Sequence, residues 1–179
     1  MEFPKSYILV IFILSLLLIF SYPYFLKDNA EYLWGPIKGN FRNIYYISIF
    51  LVLLGFIPFA YLLVTCNKWS STEINRIFYS FLVLIIMSWI WIPLSVQYAI
   101  SKNNSSKNMY RIIIVIVLLL VSLSIVSLYF INKKHFENHP ELYKNKIFSS
   151  LLFIGLFYAF FHTFFMDFIL WAYLVLFRK

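Results

Sequence analysis

Asp167 and His162 are the side chains best placed to do chemistry, because both fall inside a long apolar run, Ile147 to Phe177. Ionisable groups at membrane depth are costly, so they face a bundle interior or a water-filled path. There they suit a ligand contact, a proton relay or a buried hydrogen bond. On an α-helix, residues five apart point about 140° apart, so the spacing argues against a His162–Asp167 dyad. Thr163 shares a helical face with Asp167, and Tyr158 with His162. Two separate polar points are expected, each needing a partner from another span. For Asp167 the candidates are serines of the third span, a tyrosine, or Arg111. If Arg178 and Lys179 mark the interface, Asp167 lies near mid-membrane; if Trp171 and Tyr173 mark it, Asp167 lies within about a turn of the surface.

A second polar set lies on the third span. Ser80, Ser88, Trp91, Ser95 and Tyr98 fall within an arc of about 80° at helical spacing. Small and polar side chains in lipid turn toward the bundle interior. The stripe therefore forms either one wall of an amphipathic cavity or a helix–helix seam. Ser88, Trp91 and Ser95, with His162, Thr163 and Asp167, are the expected ligand-binding residues. Pro58 and Pro93 each remove a helix hydrogen bond and kink their spans. Gly55 shares a face with Ser48, seven residues earlier, an arrangement that serves close packing.

Other chemistry-bearing groups carry weaker signals. In Lys133 to Glu141, His135 and His139 flank Glu137, but the order is not His-Glu-x-x-His, and Pro140 disfavours helix at His139. A solvated basic connector is expected there. Cys66, the single cysteine, reads as a small apolar residue at a span end, with palmitoylation as the alternative. No P-loop, nucleophile elbow or paired acidic motif is present. No catalytic residue, metal ligand set or cofactor is expected. Asn103 and Asn104 open two overlapping glycosylation sequons.

The elements that must position these residues are five apolar stretches, near 6–26, 44–66, 77–99, 111–131 and 149–176. A span needs about 20 apolar residues to cross a hydrocarbon core of about 30 Å. Only 12% of the 179 residues are charged, about half the share in a soluble domain. The fold class is all-α: a single transmembrane domain, residues 1–179, built as a bundle of five membrane helices. The N-terminal run has no small-x-small cleavage site and reads as a retained first span. The first loop, Lys27 to Asn43, holds turn signals at Trp34-Gly35-Pro36 and Gly39.

The net charge of +8 comes from basic residues in short loops and termini, where they meet head groups. No basic stripe suits nucleic acid. Lys and Arg divide almost evenly, seven on the N-terminal side and eight on the other, so the positive-inside rule barely discriminates. Use of the sequons would put the third loop in a lumen and the N-terminus in the cytosol, the orientation expected here. Size, five spans and the Trp91-x-Pro93 and Asp167…Trp171 regions resemble the tryptophan-rich sensory protein (translocator protein) family. The chain departs from that pattern: the Trp-x-Pro-Pro feature is absent between the first two spans, the third-span proline is displaced by one residue, and Asp167 stands in place of an Asn. The expected function is a small multi-pass integral membrane protein that binds or passes a small or lipidic ligand. The alternatives are an assembly protein that docks as a homo- or hetero-oligomer, and a membrane-embedded enzyme using Asp167 and His162.

Overall fold

The computed structural model describes residues 1–34, 37–143 and 146–177, with Phe177 by its backbone alone. The Gly35-Pro36 turn, Lys144, Arg178 and Lys179 lie outside the described residues. Five helical stretches are long and apolar enough to cross a membrane: Lys5–Trp34, Asn40–Thr65, Ser71–Ile100, Asn104–Asn138 and Lys146–Leu176. The first is α1. The second divides into α2 (Asn40–Gly55) and α3 (Ile57–Thr65) at Phe56. Pro58 causes the division: it has no N–H to give the Leu54 carbonyl, and it sits in the first turn of α3, where that loss costs little. The third and fourth are α4 (Ser71–Ile100) and α5 (Asn104–Asn138). The fifth begins as α6 (Lys146–Phe161) and continues as a π-helical segment, His162–Phe177. Pro93 is accommodated inside an unbroken α4.

Three helices run past their apolar stretches. α1 continues through Lys27 to Trp34, so the expected loop from Lys27 to Asn43 is mostly helix. Leu33 and Trp34 are buried there, and their packing overrides the charges of the preceding turn. α4 starts at a capping box: the Ser70 hydroxyl accepts from the Glu73 N–H at 3.2 Å, and the Glu73 carboxylate accepts from the Ser70 N–H at 2.8 Å. α5 begins at Asn103, whose side chain accepts from the Ser105 N–H. It runs to Asn138, carrying Asn132 and His135 on the buried face that starts at Ile114. The solvated connector expected at Lys133 to Glu141 is thus corrected in part: His135 is fully buried within α5. The helix stops at His139, before Pro140.

α1 packs on α4, α4 on α5, α5 on α6 and the π-helical segment, and α6 on α2 and α3. Two apolar clusters fill the interior. One holds Phe59, Trp69, Ile77, Leu128 and Leu152; the other holds Trp34, Tyr45, Trp91, Ile114 and Trp171. Leu9, Phe12, Phe20, Ile47, Phe50 and Phe157 point outward, as lipid-facing side chains do.

The tightest contact is where α2 crosses α6. A Cβ built on Gly155 would lie 2.3 Å from the Gly55 carbonyl oxygen, and one on Gly55 would lie 2.9 Å from the Gly155 Cα. Both atoms it would meet are backbone and cannot swing aside. We expect Gly155→Ala to cost on the order of 1–3 kcal/mol, measured by reversible unfolding in mixed micelles. A variant as stable as wild type would refute the close crossing.

Candidate functional site

The Gly55–Gly155 crossing sets the distance between Ser48 on α2 and the last span. Ser48 Oγ lies 2.7 Å from His162 Nδ1 and 2.8 Å from the Tyr158 hydroxyl. His162 Nε2 lies 3.5 Å from Asp167 Oδ2. The sequence argument against pairing these two residues is therefore corrected. It assumed α-helical periodicity, whereas the chain is π-helical from His162 onward. There i→i+5 hydrogen bonds widen the turn and bring residues five apart toward one face. Thr163 marks the changeover, its hydroxyl donating to the Ala159 and Phe160 carbonyls at 3.1 and 3.3 Å. Such back-bonding competes with the regular ladder. Thr163 is turned to these carbonyls rather than to Asp167.

One proton arrangement satisfies the whole set. Tyr158 donates to Ser48, Ser48 donates to His162 Nδ1, and His162 Nε2–H faces the Asp167 carboxylate. The Tyr45 hydroxyl donates to the Met166 carbonyl, and its ring meets His162 edge-on at 5.8 Å. Trp171 donates to the Leu33 carbonyl at 2.9 Å, so Trp171 is level with the last turn of α1. Asp167 sits about one turn further in.

The third-span residues go elsewhere. Ser95 is fully buried and donates to the Trp91 carbonyl at 2.7 Å. Trp91 packs edge-on against Trp171 at 5.2 Å. Ser80 bonds Ser127 of α5, and Tyr98 reaches the Leu176 carbonyl. Arg111 lies over the Tyr98 ring. Ser88 is half-buried. The geometry of the stripe is that of a seam against α5 and the last span. Two clefts, one lined by Glu31, Lys38, Gly39 and Arg42 and one at the other end of the bundle, are lined by none of Ser88, Trp91, Ser95, His162, Thr163 and Asp167.

One of those clefts opens between α4 and α5, at the end of the bundle that carries the N-terminus. It measures about 800 Å³. Lys68, Arg76 and Lys134 supply its charge, and Trp69, Phe130 and Ile131 its apolar lining. Lys68 is paired with Glu141 at 2.6 Å, and its hydrogen bond holds the Glu141 carboxyl below the usual carboxylate range. Among the described residues, no carboxylate lies within ion-pair distance of Arg76 or Lys134. Glu73 also lines the cleft, but its oxygens are turned to Ser70 and His135.

Behind this cleft lies a group the sequence reading missed. Cys66 Sγ is 3.5 Å from His135 Nε2, and His135 Nδ1 is 3.2 Å from Glu73 Oε1. The Lys68 N–H donates to Cys66 Sγ at 3.4 Å. Trp69 stacks on His135 at 4.0 Å. Cys66 and Glu73, seven residues apart, meet the distant His135 here, with no shared motif to announce them. The one available signal was the capping box Ser70-x-x-Glu73, which fixes where Glu73 points. Burial pushes the Cys66 thiol up, partly offset by the Lys68 N–H. The Asn103 and Asn104 side chains are exposed at the opposite end.

The chain matches no known protein family, curated protein or solved structure.

Two outcomes follow from these geometries. A double-mutant cycle between Ser48→Ala and His162→Phe should give a coupling of about 0.6–1.7 kcal/mol, read from unfolding in micelles; zero coupling would break the bond. Because its pKa is raised, Cys66 carries less thiolate at pH 8 than a free thiol does. Iodoacetamide should therefore modify it more slowly than it modifies glutathione, with the rate rising toward higher pH. Alkylation at the glutathione rate would contradict the burial.

Proposed function

We propose that this multi-pass membrane protein binds an anionic amphiphile, its headgroup in the α4/α5 cleft and its chains along the lipid-facing sides of those helices. The observation that carries this reading is the meeting of Arg76 and Lys134, neither in an ion pair among the described residues, with Trp69, Phe130 and Ile131 in one opening at a span end. Cations at the membrane boundary attract anionic headgroups, and an amphipathic indole suits that boundary. This reading puts the ligand at the bundle end, apart from the interior residues Ser88, Trp91, Ser95, His162, Thr163 and Asp167.

The interior supports a second reading, that of a structural or assembly protein. Ser48, Ser80, Ser95, Thr163, Tyr98, His162 and Asp167 are bonded to one another, to neighbouring side chains or to helix carbonyls. The two readings concern different parts of the bundle and are compatible. We also infer that the N-terminus is cytosolic. The cleft would then face the anionic leaflet, and the sequons would face away from it.

Thermal unfolding of the protein in nanodiscs tests the proposal. Added phosphatidylserine should stabilise wild type more than phosphatidylcholine does. Arg76→Ala and Lys134→Ala should each weaken that binding about fivefold, from roughly 1 kcal/mol per basic residue. The gain should shrink as salt rises. Equal stabilisation by both lipids, or variants that bind like wild type, would reject the cleft as the site.

A further inference from the structure

The group behind the cleft has the connectivity of an activated nucleophile. A thiol faces one nitrogen of an imidazole, and the other nitrogen faces a carboxylate. This is the order nucleophile, base, orienting acid. Each member is held from outside the trio. Glu73 is fixed by both groups of Ser70, and His135 by the Trp69 stack. The thiol sulfur receives a backbone N–H.

A second observation points to an absent ligand. Among the described residues, Trp69 Nε1–H and the Tyr143 hydroxyl are buried with no hydrogen-bond partner, as are the Trp34 and Trp91 indole N–H groups elsewhere in the bundle. Trp69 stacks on His135, and the Tyr143 ring lies 6.2 Å from that imidazole, edge-on. Buried polar groups are nearly always satisfied, so each orphan calls for an explanation. Two unpaired donors around a thiol–imidazole pair suit a carbonyl oxygen, which accepts hydrogen bonds and gains charge when its carbon is attacked. Trp69 and Glu73 both line the cleft, so the relay lies directly behind its wall.

We propose that Cys66 is an acyl acceptor: it takes the acyl group of an acyl thioester or ester whose anionic headgroup occupies the α4/α5 cleft. This rests on the binding reading above and names its substrate class. The Cys66 sulfur forms a bond to the acyl carbonyl carbon, and His135 Nε2 takes the thiol proton. The bond from that carbon to the leaving sulfur or oxygen breaks, and His135 returns the proton to the departing group. The products are an S-acyl Cys66 and a free thiol or alcohol, with no redox change. Glu73 holds the tautomer whose Nε2 is free to accept and stabilises the imidazolium that forms. It is a positioning residue. Burial pushes the thiol up and disfavours its thiolate, so the attack uses His135 as base. Cys66 is only 5% exposed, so the acyl group must pass the Trp69 indole to reach it.

The test uses the full chain in nanodiscs with palmitoyl coenzyme A, followed by intact mass. Cys66 is the only cysteine, so a hydroxylamine-labile adduct reports on it alone. Wild type should gain one acyl group, and Cys66→Ser none. His135→Gln should slow the reaction at least about 100-fold, the usual contribution of a general base. Glu73→Gln keeps the side-chain shape and serves if His135→Gln misfolds; it should slow acylation at least about tenfold. Equal rates in wild type and both variants would mean spontaneous thiol acylation and would overturn the proposal. So would the absence of an adduct in a protein that still binds phosphatidylserine, an outcome that leaves the binding reading standing. A His135-dependent adduct in a protein that does not distinguish phosphatidylserine from phosphatidylcholine would uphold Cys66 and reject the lipid site.

Discussion

The contact between Gly55 and Gly155 fixes the separation of α2 from the last span, and the other interhelical ties of that region follow from it. Between helices in lipid there is little hydrophobic drive, so association rests on close backbone approach and hydrogen bonds. With no Cβ on either side, the two backbones come within van der Waals contact. The helices run antiparallel, so Ser48, seven residues before Gly55, meets His162, seven after Gly155, and Tyr158 between them. Tyr45, one turn earlier on α2, reaches the Met166 carbonyl. The Pro58 break just beyond the crossing frees α3 to turn Phe59, Leu62 and Leu63 into the cluster at the other end.

The polar groups divide by environment. Inside the spans, a donor without a partner finds no water, and those of the Ser48–His162–Asp167 set are matched. Such a set orders a bundle and adds modest stability. At the end that carries the N-terminus, matching is incomplete. Trp69 and Tyr143 keep unpaired donors, and two cations face an open cleft. The rigid interior holds the ends of α4 and α5 in register; among the described residues, unmet hydrogen-bonding capacity lies at this end and also at the Trp34 and Trp91 indole N–H groups.

Hydropathy was enough to read the five spans, because length and apolarity in lipid are hard requirements. The shared face of Gly55 and Ser48 was also legible, since it needs only helical periodicity. Asp167 and His162 stood out as costly residues, but their pairing did not: the inference used 100° per residue, and nothing local in Phe164-Phe165-Met166 announces a wider helix. The helical extension through Lys133 to Asn138 was hidden for a different reason. His135 reads as solvated in a basic stretch, and only tertiary contacts with Trp69, Glu73 and Cys66 bury it. The relay joins positions 66, 73 and 135, and no local pattern spans such separations.

The pairing of His162 with Asp167 depends on both the crossing and the π-helical continuation, so it probes the account at its centre. Solid-state NMR in bilayers, with labelled histidine ring nitrogens and aspartate carboxyl carbons, measures it directly. The sequence holds only Asp28 and Asp167 as aspartates, so the assignment is nearly unique. The account predicts a through-space contact between His162 Nε2 and the Asp167 carboxyl carbon, lost in Asp167→Asn prepared with unlabelled Asn. Absence of that contact, in a sample where His162 Nδ1 still contacts Ser48, would mean that the last span is α-helical past His162 and that the two residues point apart.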